Sequence, residues 1–233
     1  MNIALIIAGG KGVRMGNIIP KQFIMVNDKP VIAYTLEVFQ RHPSIDVIAV
    51  VCIDGWADIL MNYAQQYGIT KLRHVVPGGS VGQESIRNGL VELQKHYDEN
   101  DIVLIHDAIR PMVSQDIISD CIAQTVKHGN AITVIPCQEA MLLTDDSASS
   151  IAAYPRDHLK RTQTPQGFRL GHILKVHARA REMGITNSVA SCTLMTEVGE
   201  RVYFSTGSER NIKLTTPEDL DIFKNYLRVE KRA

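Results

Sequence analysis

Apolar residues gather in short runs at 3–7, 47–52, 72–76, 102–105 and 132–136, with little polar alternation inside them. Strands buried on both faces read this way, as in a parallel sheet covered by helices. Between the runs the apolar spacing becomes helical. Residues 31–40 set Ile32, Leu36 and Phe39 on one face, 85–96 set Ile86, Leu90 and Leu93, and 115–128 set Ile118, Ile122 and Val126. A further helix, 57–67, comes after a turn at Asp54-Gly55. This alternation predicts an open α/β sheet whose ligand site lies at the carboxyl ends of the strands. After 137 the pattern weakens into a stretch rich in Ser, Asp and Ala, and Pro155 and Pro165 bracket the next segment. Residues 137–160 are therefore expected to leave the sheet as a hairpin arm. The chain returns through a helix at 171–184, a strand at 201–205 and a terminal helix. Thr216-Pro217-Glu218-Asp219 starts that last helix with a capping hydroxyl, a proline and two acids.

Composition narrows the class. The 233 residues suit one domain, 1–233, carrying the arm as an appendage. Formal net charge is zero, with 25 basic residues against 25 acidic ones. A general binder of nucleic acid or anionic membrane carries a basic excess, so neither partner is expected. The cysteines, Cys52, Cys121, Cys137 and Cys192, form no CxxC pair and read as reduced thiols. No signal peptide pattern and no apolar run of spanning length is evident, so the expected location is cytoplasmic.

Candidate chemistry starts at the first strand, which runs into Ala8-Gly9-Gly10-Lys11-Gly12-Val13-Arg14-Met15-Gly16 and then Pro20-Lys21-Gln22. Glycines let backbone N–H groups crowd a phosphate, and Lys11, Arg14 and Lys21 add positive charge. Neither the P-loop nor the dinucleotide fingerprint is present, because GxxxxGK[ST] and the third glycine of GxGxxG are both missing. The stretch reads either as a turn with solvated charges or as a loop that brings cations onto a triphosphate. Val103–Ile105 leads into His106-Asp107-Ala108-Ile109-Arg110-Pro111, which puts a carboxylate at a strand's carboxyl edge. Asp107 can serve there as a magnesium ligand, or as a cap or partner of Arg110. His106 reads as a packing residue, since an ionised phosphate nucleophile needs no base. Pro77-Gly78-Gly79-Ser80 and Ser85 come after a strand and open a helix. The segments Arg156…Arg161-Thr162-Gln163-Thr164-Pro165-Gln166 and Asn211-Ile212-Lys213 each bring a cation to what reads as a polar loop.

In their order along the chain these stretches resemble one family, the CTP-dependent cytidylyltransferases of small polyol phosphates. Its two best-known branches act on 2-C-methyl-D-erythritol 4-phosphate and on D-ribitol 5-phosphate. The resemblance implies a Rossmann-like nucleotidyltransferase fold and a homodimer built through the arm. It implies Arg14, Lys21 and Lys213 as catalytic cations. It gives Ala8, Gly9, Gly10, Lys11, Gly79, Ser80, Ser85, Asp107 and Arg110 as the CTP-binding set. Asp107 is the implied Mg²⁺ ligand. Arg156, crossing from the partner's arm, joins Thr164 and Lys213 at the acceptor. The expected reaction is CTP plus a polyol phosphate to a CDP-polyol and pyrophosphate. Two alternatives stand beside it: a related enzyme with another pyrimidine triphosphate or acceptor, and an inactive nucleotide-binding subunit.

Several positions bear on the acceptor. The methylerythritol branch usually carries Asp-Thr where this chain has Glu139-Ala140, and an Asp that aligns with Ala190. Gly82 stands where an arginine is frequent. Trp56 is similar to the ribitol branch, while the Arg161–Gln166 segment is similar to the methylerythritol one. Together these favour ribitol 5-phosphate slightly.

Overall fold

The computed structural model describes residues 1–10 and 19–230. In chain order the elements are β1 (Asn2–Ala8), the small hairpin β2 (Met25–Val26) and β3 (Lys29–Pro30), α1 (Val31–Arg41), β4 (Val47–Cys52), α2 (Ala57–Gln66) and β5 (Leu72–Pro77). Then come α3 (Gly82–Gln94), β6 (Ile102–Asp107), α4 (Gln115–His128), β7 (Asn130–Pro136), β8 (Met141–Leu143) and β9 (Ala152–Tyr154). The chain closes with β10 (Lys160–Arg169), α5 (Leu170–Glu182), α6 (Ser191–Glu197), β11 (Phe204–Thr206) and α7 (Pro217–Glu230). Helix ends obey local chemistry. Ser114 Oγ accepts the Ile117 N–H at the start of α4, and Gly129, at φ 86°, stops it. The Asp219 carboxylate accepts the N–H groups of Thr215 and Thr216 before α7.

Seven strands form the main sheet in the order β11-β7-β10-β6-β1-β4-β5. The pairs β1–β4, β1–β6, β4–β5 and β7–β11 are parallel, and β10 runs antiparallel between β6 and β7. Helices cover both faces, as the unbroken apolar runs require. Ala4, Ile6 and Val50 pack with α1, α2 and α4, while Ile3, Leu5 and Ala49 pack with α3, α5 and α6. A third cluster, Val26, Val31, Met112, Leu214 and Phe223, seats α7. No helix among the described residues is long and apolar enough to cross a membrane. The cysteines are all free thiols. Burial pushes Cys121 up to about 12.

Two sequence expectations change, and one element goes unread. The run at 72–76 is an edge strand, and of its residues only Val76 is buried. The segment around 161–166, expected as a polar loop, is the strand β10 inside the sheet. Its buried Gln163 and Gln166 are satisfied by hydrogen bonds rather than by apolar packing. Helix α6 carries only seven residues, too few for a periodic signal. The excursion contains the hairpin β8–β9, and every residue from 138 to 158 is exposed.

Candidate active site

Strands β1 and β6 end side by side, with Ile7 in register with Asp107, and the loops beyond them open into a cleft of about 810 Å³. Its wall includes Ala8, Gly9, Gly10, Lys21, Gly79, Ser80, Ser85, Asp107, Arg110, Thr164 and Lys213, drawn from segments more than 200 residues apart. The sheet does this by ending its central strands at one edge, where loops need not pair. Lys11 and Arg14 lie outside the described residues. Arg156 is not part of this chain's cleft wall; its guanidinium donates to the Gln138 carbonyl at 2.7 Å, on the arm.

The two glycine-bearing loops touch. A Cβ on Gly9 would stand 3.2 Å from Ser85 Oγ, and one on Gly78 would stand 3.3 Å from Gly9 Cα. Glycine at both positions lets backbone meet backbone. Ser85 Oγ accepts the Gly79 N–H at 2.9 Å and donates to the Val81 carbonyl at 3.0 Å. Glu84 takes the N–H and hydroxyl of Ser80. These two side chains therefore shape the turn, and together with the Cys52 carbonyl they take up the N–H groups of Gly78, Gly79 and Ser80. Gln22, buried, donates to the carbonyls of Ala8 at 2.7 Å and Gly10 at 3.2 Å, tying the base of the first loop to the helical turn Lys21–Phe23.

Charge concentrates on Asp107. Arg110 Nε lies 3.0 Å from Oδ2 and Lys213 Nζ lies 3.1 Å from Oδ1. Burial alone would raise this carboxyl, but the Lys213 and Arg110 charges override it and hold it at about 2. Arg110 Nη1 also donates to the Asn211 carbonyl at 2.8 Å. The Asp107 N–H donates to Thr164 Oγ1 at 3.1 Å, and Thr164 Oγ1 lies 3.0 Å from His106 Nδ1. His106 Nε2 in turn donates to the Arg110 carbonyl at 3.2 Å. That chain leaves Nδ1 as the acceptor for the Thr164 hydroxyl, which requires a neutral ring. Burial supplies it: His106 is pushed down to about 4, with the Asp107 charge opposing only in part. The Thr164 hydroxyl, expected at the acceptor, is thus committed to holding Asp107 and His106.

The register of β10 shifts between Thr162 and Gln166, which brings Thr162, Gln163 and Thr164 to the cleft wall instead of continuing the ladder. Asn211, fully buried, donates to the Thr164 carbonyl at 2.8 Å and joins this segment to the one that carries Lys213. Val189, Ala190 and Ser191 complete the wall. Trp56, the residue similar to the ribitol branch, stacks on Phe23 at 4.6 Å and packs on the core. It is outside the cleft wall, so no contact there supports a bearing on the acceptor. Sequence reasoning did not single out Gln22, Gln163 or Asn211 as site residues. Gln22 had a usable signal, an amide directly after the proline and lysine.

Residues 2–229 match the family model described as IspD, 2-C-methyl-D-erythritol 4-phosphate cytidylyltransferase. The ribitol-5-phosphate cytidylyltransferase of Lacticaseibacillus paracasei is 44% identical over 230 residues, covering 98% of each chain. A 2-C-methyl-D-erythritol 4-phosphate cytidylyltransferase of Clostridium botulinum is 37% identical over 227 residues, covering 97% of each. Among solved structures, the Francisella tularensis 2-C-methyl-D-erythritol 4-phosphate cytidylyltransferase superposes with a TM-score of 0.80 at 28% identity. It covers 97% of this chain and 98% of its own.

Proposed function

The chain belongs to the 2-C-methyl-D-erythritol 4-phosphate cytidylyltransferase family, and from that premise we propose that its acceptor is ribitol 5-phosphate. It is a nucleotidyltransferase that moves a cytidylyl group from CTP to a polyol phosphate. The observation that carries the choice of acceptor is the 44% identity to a ribitol-5-phosphate enzyme over essentially the whole chain, against 37% to a methylerythritol one. Ala190 in the cleft wall agrees with it, since a methyl group there offers nothing to a substrate hydroxyl.

In this reading the acceptor phosphate attacks the α-phosphorus of CTP, forming the new P–O bond as the bond to pyrophosphate breaks. The nucleophile is already ionised, so the protein's task is positioning and charge stabilisation. Ala8, Gly9, Gly10, Gly79 and Ser80 line the nucleotide's side of the cleft, the glycines letting it approach the backbone closely. Lys21, with Lys11 and Arg14, offsets charge developing at the α-phosphate. Arg110 keeps Asp107 in place. Lys213, which can leave Asp107, binds the acceptor phosphate.

Mg²⁺ fits this donor set. One ionised carboxylate at the sheet edge, with the remaining positions supplied by phosphates and water, is its usual arrangement. Asp107 would hold it, and the ion would neutralise phosphate charge. The working unit is a homodimer, in which the arm brings Arg156 to the partner's acceptor site. An exposed hairpin of this size is not stable alone and needs a second surface. The cytoplasm, where thiols stay reduced, is the assigned location.

The test is kcat/KM for ribitol 5-phosphate and for 2-C-methyl-D-erythritol 4-phosphate at saturating CTP. A preference for ribitol 5-phosphate of about tenfold or more is expected from one or two unmatched hydroxyls. Preference for the methylerythritol substrate would overturn the assignment while leaving cytidylyl transfer intact.

A further inference from the structure

Away from the cleft, three side chains with metal-binding atoms converge where the edge strand β5 meets the end of α3. His74, Glu92 and His96 each offer one ligand atom, and these atoms all lie within 4.8 Å of one another. None of the three lines the cleft. Glu92 Oε1 faces His96 Nε2 at 3.2 Å, while its Oε2 is held by Lys95 at 2.6 Å. The two imidazoles lie together with ring centroids 4.7 Å apart. His74 and Glu92 are half-buried and His96 is exposed.

Two departures from regular structure bring these residues together. The register of β5 on β4 slips after Ile48 and Leu72, so that Ala49 pairs with His74 and Arg73 is left over. In an unbroken strand His74 would share the face of Leu72. A bulge re-aims the side chain that follows it. Leu72 and Val75 accordingly both pack with α1 and α2, and His74 turns to the other face, against His96. Beyond Gln94 the helical turn carries on, since the N–H groups of His96 and Tyr97 both reach the Leu93 carbonyl at 3.0 Å. That keeps His96 on the face of Glu92, four residues earlier. The Tyr97 hydroxyl lies 2.8 Å from His74 Nε2 and its ring packs edge-on against the imidazole, which fixes the orientation of His74.

We propose that His74, Glu92 and His96 hold a divalent transition-metal ion of the Zn²⁺ class, with water completing its coordination. Two imidazoles and a carboxylate are a ligand set such ions take, whereas Mg²⁺ takes oxygen ligands. Bonds of about 2.0–2.1 Å to one ion set tetrahedral ligand atoms roughly 3.3 Å apart. Glu92 and His96 already match that spacing at 3.2 Å, and His96, being exposed, can turn towards His74. The ion acts as a clamp. Strand β5 and helix α3 are joined by residues 78–81, of which Gly79 and Ser80 line the cleft. Metal at the far ends of the two elements ties together the frame that carries this loop. The site does not rest on the choice of acceptor.

The experiment titrates Co²⁺, a coloured substitute for Zn²⁺, into the tag-free full chain and follows visible absorbance. Excess Mg²⁺ is present throughout, and nucleotide is left out because it would chelate the probe. The expected result is a saturable band at a single ion per chain, displaced by Zn²⁺. Removing an outer partner of a ligand costs about 10–100-fold in metal affinity, and removing the ligand itself costs no less. His74→Gln, Glu92→Gln and His96→Ala should therefore each raise the Co²⁺ Kd by about a hundredfold or more. Zn²⁺ should raise the melting temperature of the parent and leave that of His96→Ala where it was. Turnover of His96→Ala with CTP and Mg²⁺ should match the parent, which shows that the variant is folded and its cleft intact. A parent without a saturable band, or an affinity unchanged in either His96→Ala or Glu92→Gln, would overturn the proposal.

Discussion

The Asp107 carboxylate is bridged by two cations of unequal freedom. Arg110 is held a second time by the Asn211 carbonyl, and its side chain is 11% exposed. Lys213 has one described contact and is 43% exposed. In the proposed mechanism the more exposed member, Lys213, is the one that exchanges a carboxylate for a substrate phosphate. Lys213→Ala should therefore lower kcat/KM by about 10²–10³, the usual cost of one preorganised charge donor. The melting temperature should hardly move, because the residue sits at a half-exposed cleft wall. Steady-state kinetics beside a thermal melt checks both, and near-parental kcat/KM would remove Lys213 from the machinery. Residues such as Asp107 and Lys213 were legible in the sequence because a charge at the end of an apolar run, or in a short polar segment, stands out. Gln163 and Asn211 were not. They act by closing backbone and side-chain hydrogen bonds between segments about 50 residues apart, and nothing local marks such a task.

Elements with one clear period came through best. The apolar runs of β1, β4 and β6, and the amphipathic α1 and α4, have the boundaries expected of them to within a few residues. Strand β10 was missed because Lys160–Arg169 contains a proline, two buried glutamines and a register shift in place of an apolar run. The excursion was legible as a departure from pattern, and its exposed apolar residues support the proposed docking on a partner. Leu142, Leu143 and Ile151 are all exposed in the single chain. If two arms cross, inactive Arg156→Ala and inactive Lys21→Ala chains should complement after subunit exchange, since each mixed dimer holds one site with both residues intact. Up to about a quarter of parental activity is expected from random pairing, with one good site in half the dimers. Verified mixed dimers without any recovery would place Arg156 outside the partner's site.

Across the whole molecule, acid should loosen the fold well before its carboxylates titrate. His106 and His177 both have folded-state pKa values lowered to about 4 from 6.5. Between those values the unfolded chain takes up protons that the folded chain refuses, so stability is full above pH 6.5 and falls as pH drops towards 4. Each ring contributes a slope of up to about 1.4 kcal/mol per pH unit in that window. Asp107, with its pKa depressed, adds a further loss only as pH falls below its unfolded value of 3.8. Urea unfolding at a series of pH values reads the slope, and His106→Gln should flatten it. An unchanged slope in that variant would show that the ring titrates as freely in the fold as out of it. The exposed arm has a different sort of consequence. The hairpin strands β8 and β9 bury nothing within their own chain, so if the arm docks on a partner as proposed, its sequence answers to the partner surface and the acceptor, while the sheet answers to folding. Selection for a new acceptor can then rewrite the arm without rewriting the fold, so a lineage can change its product and keep its chemistry.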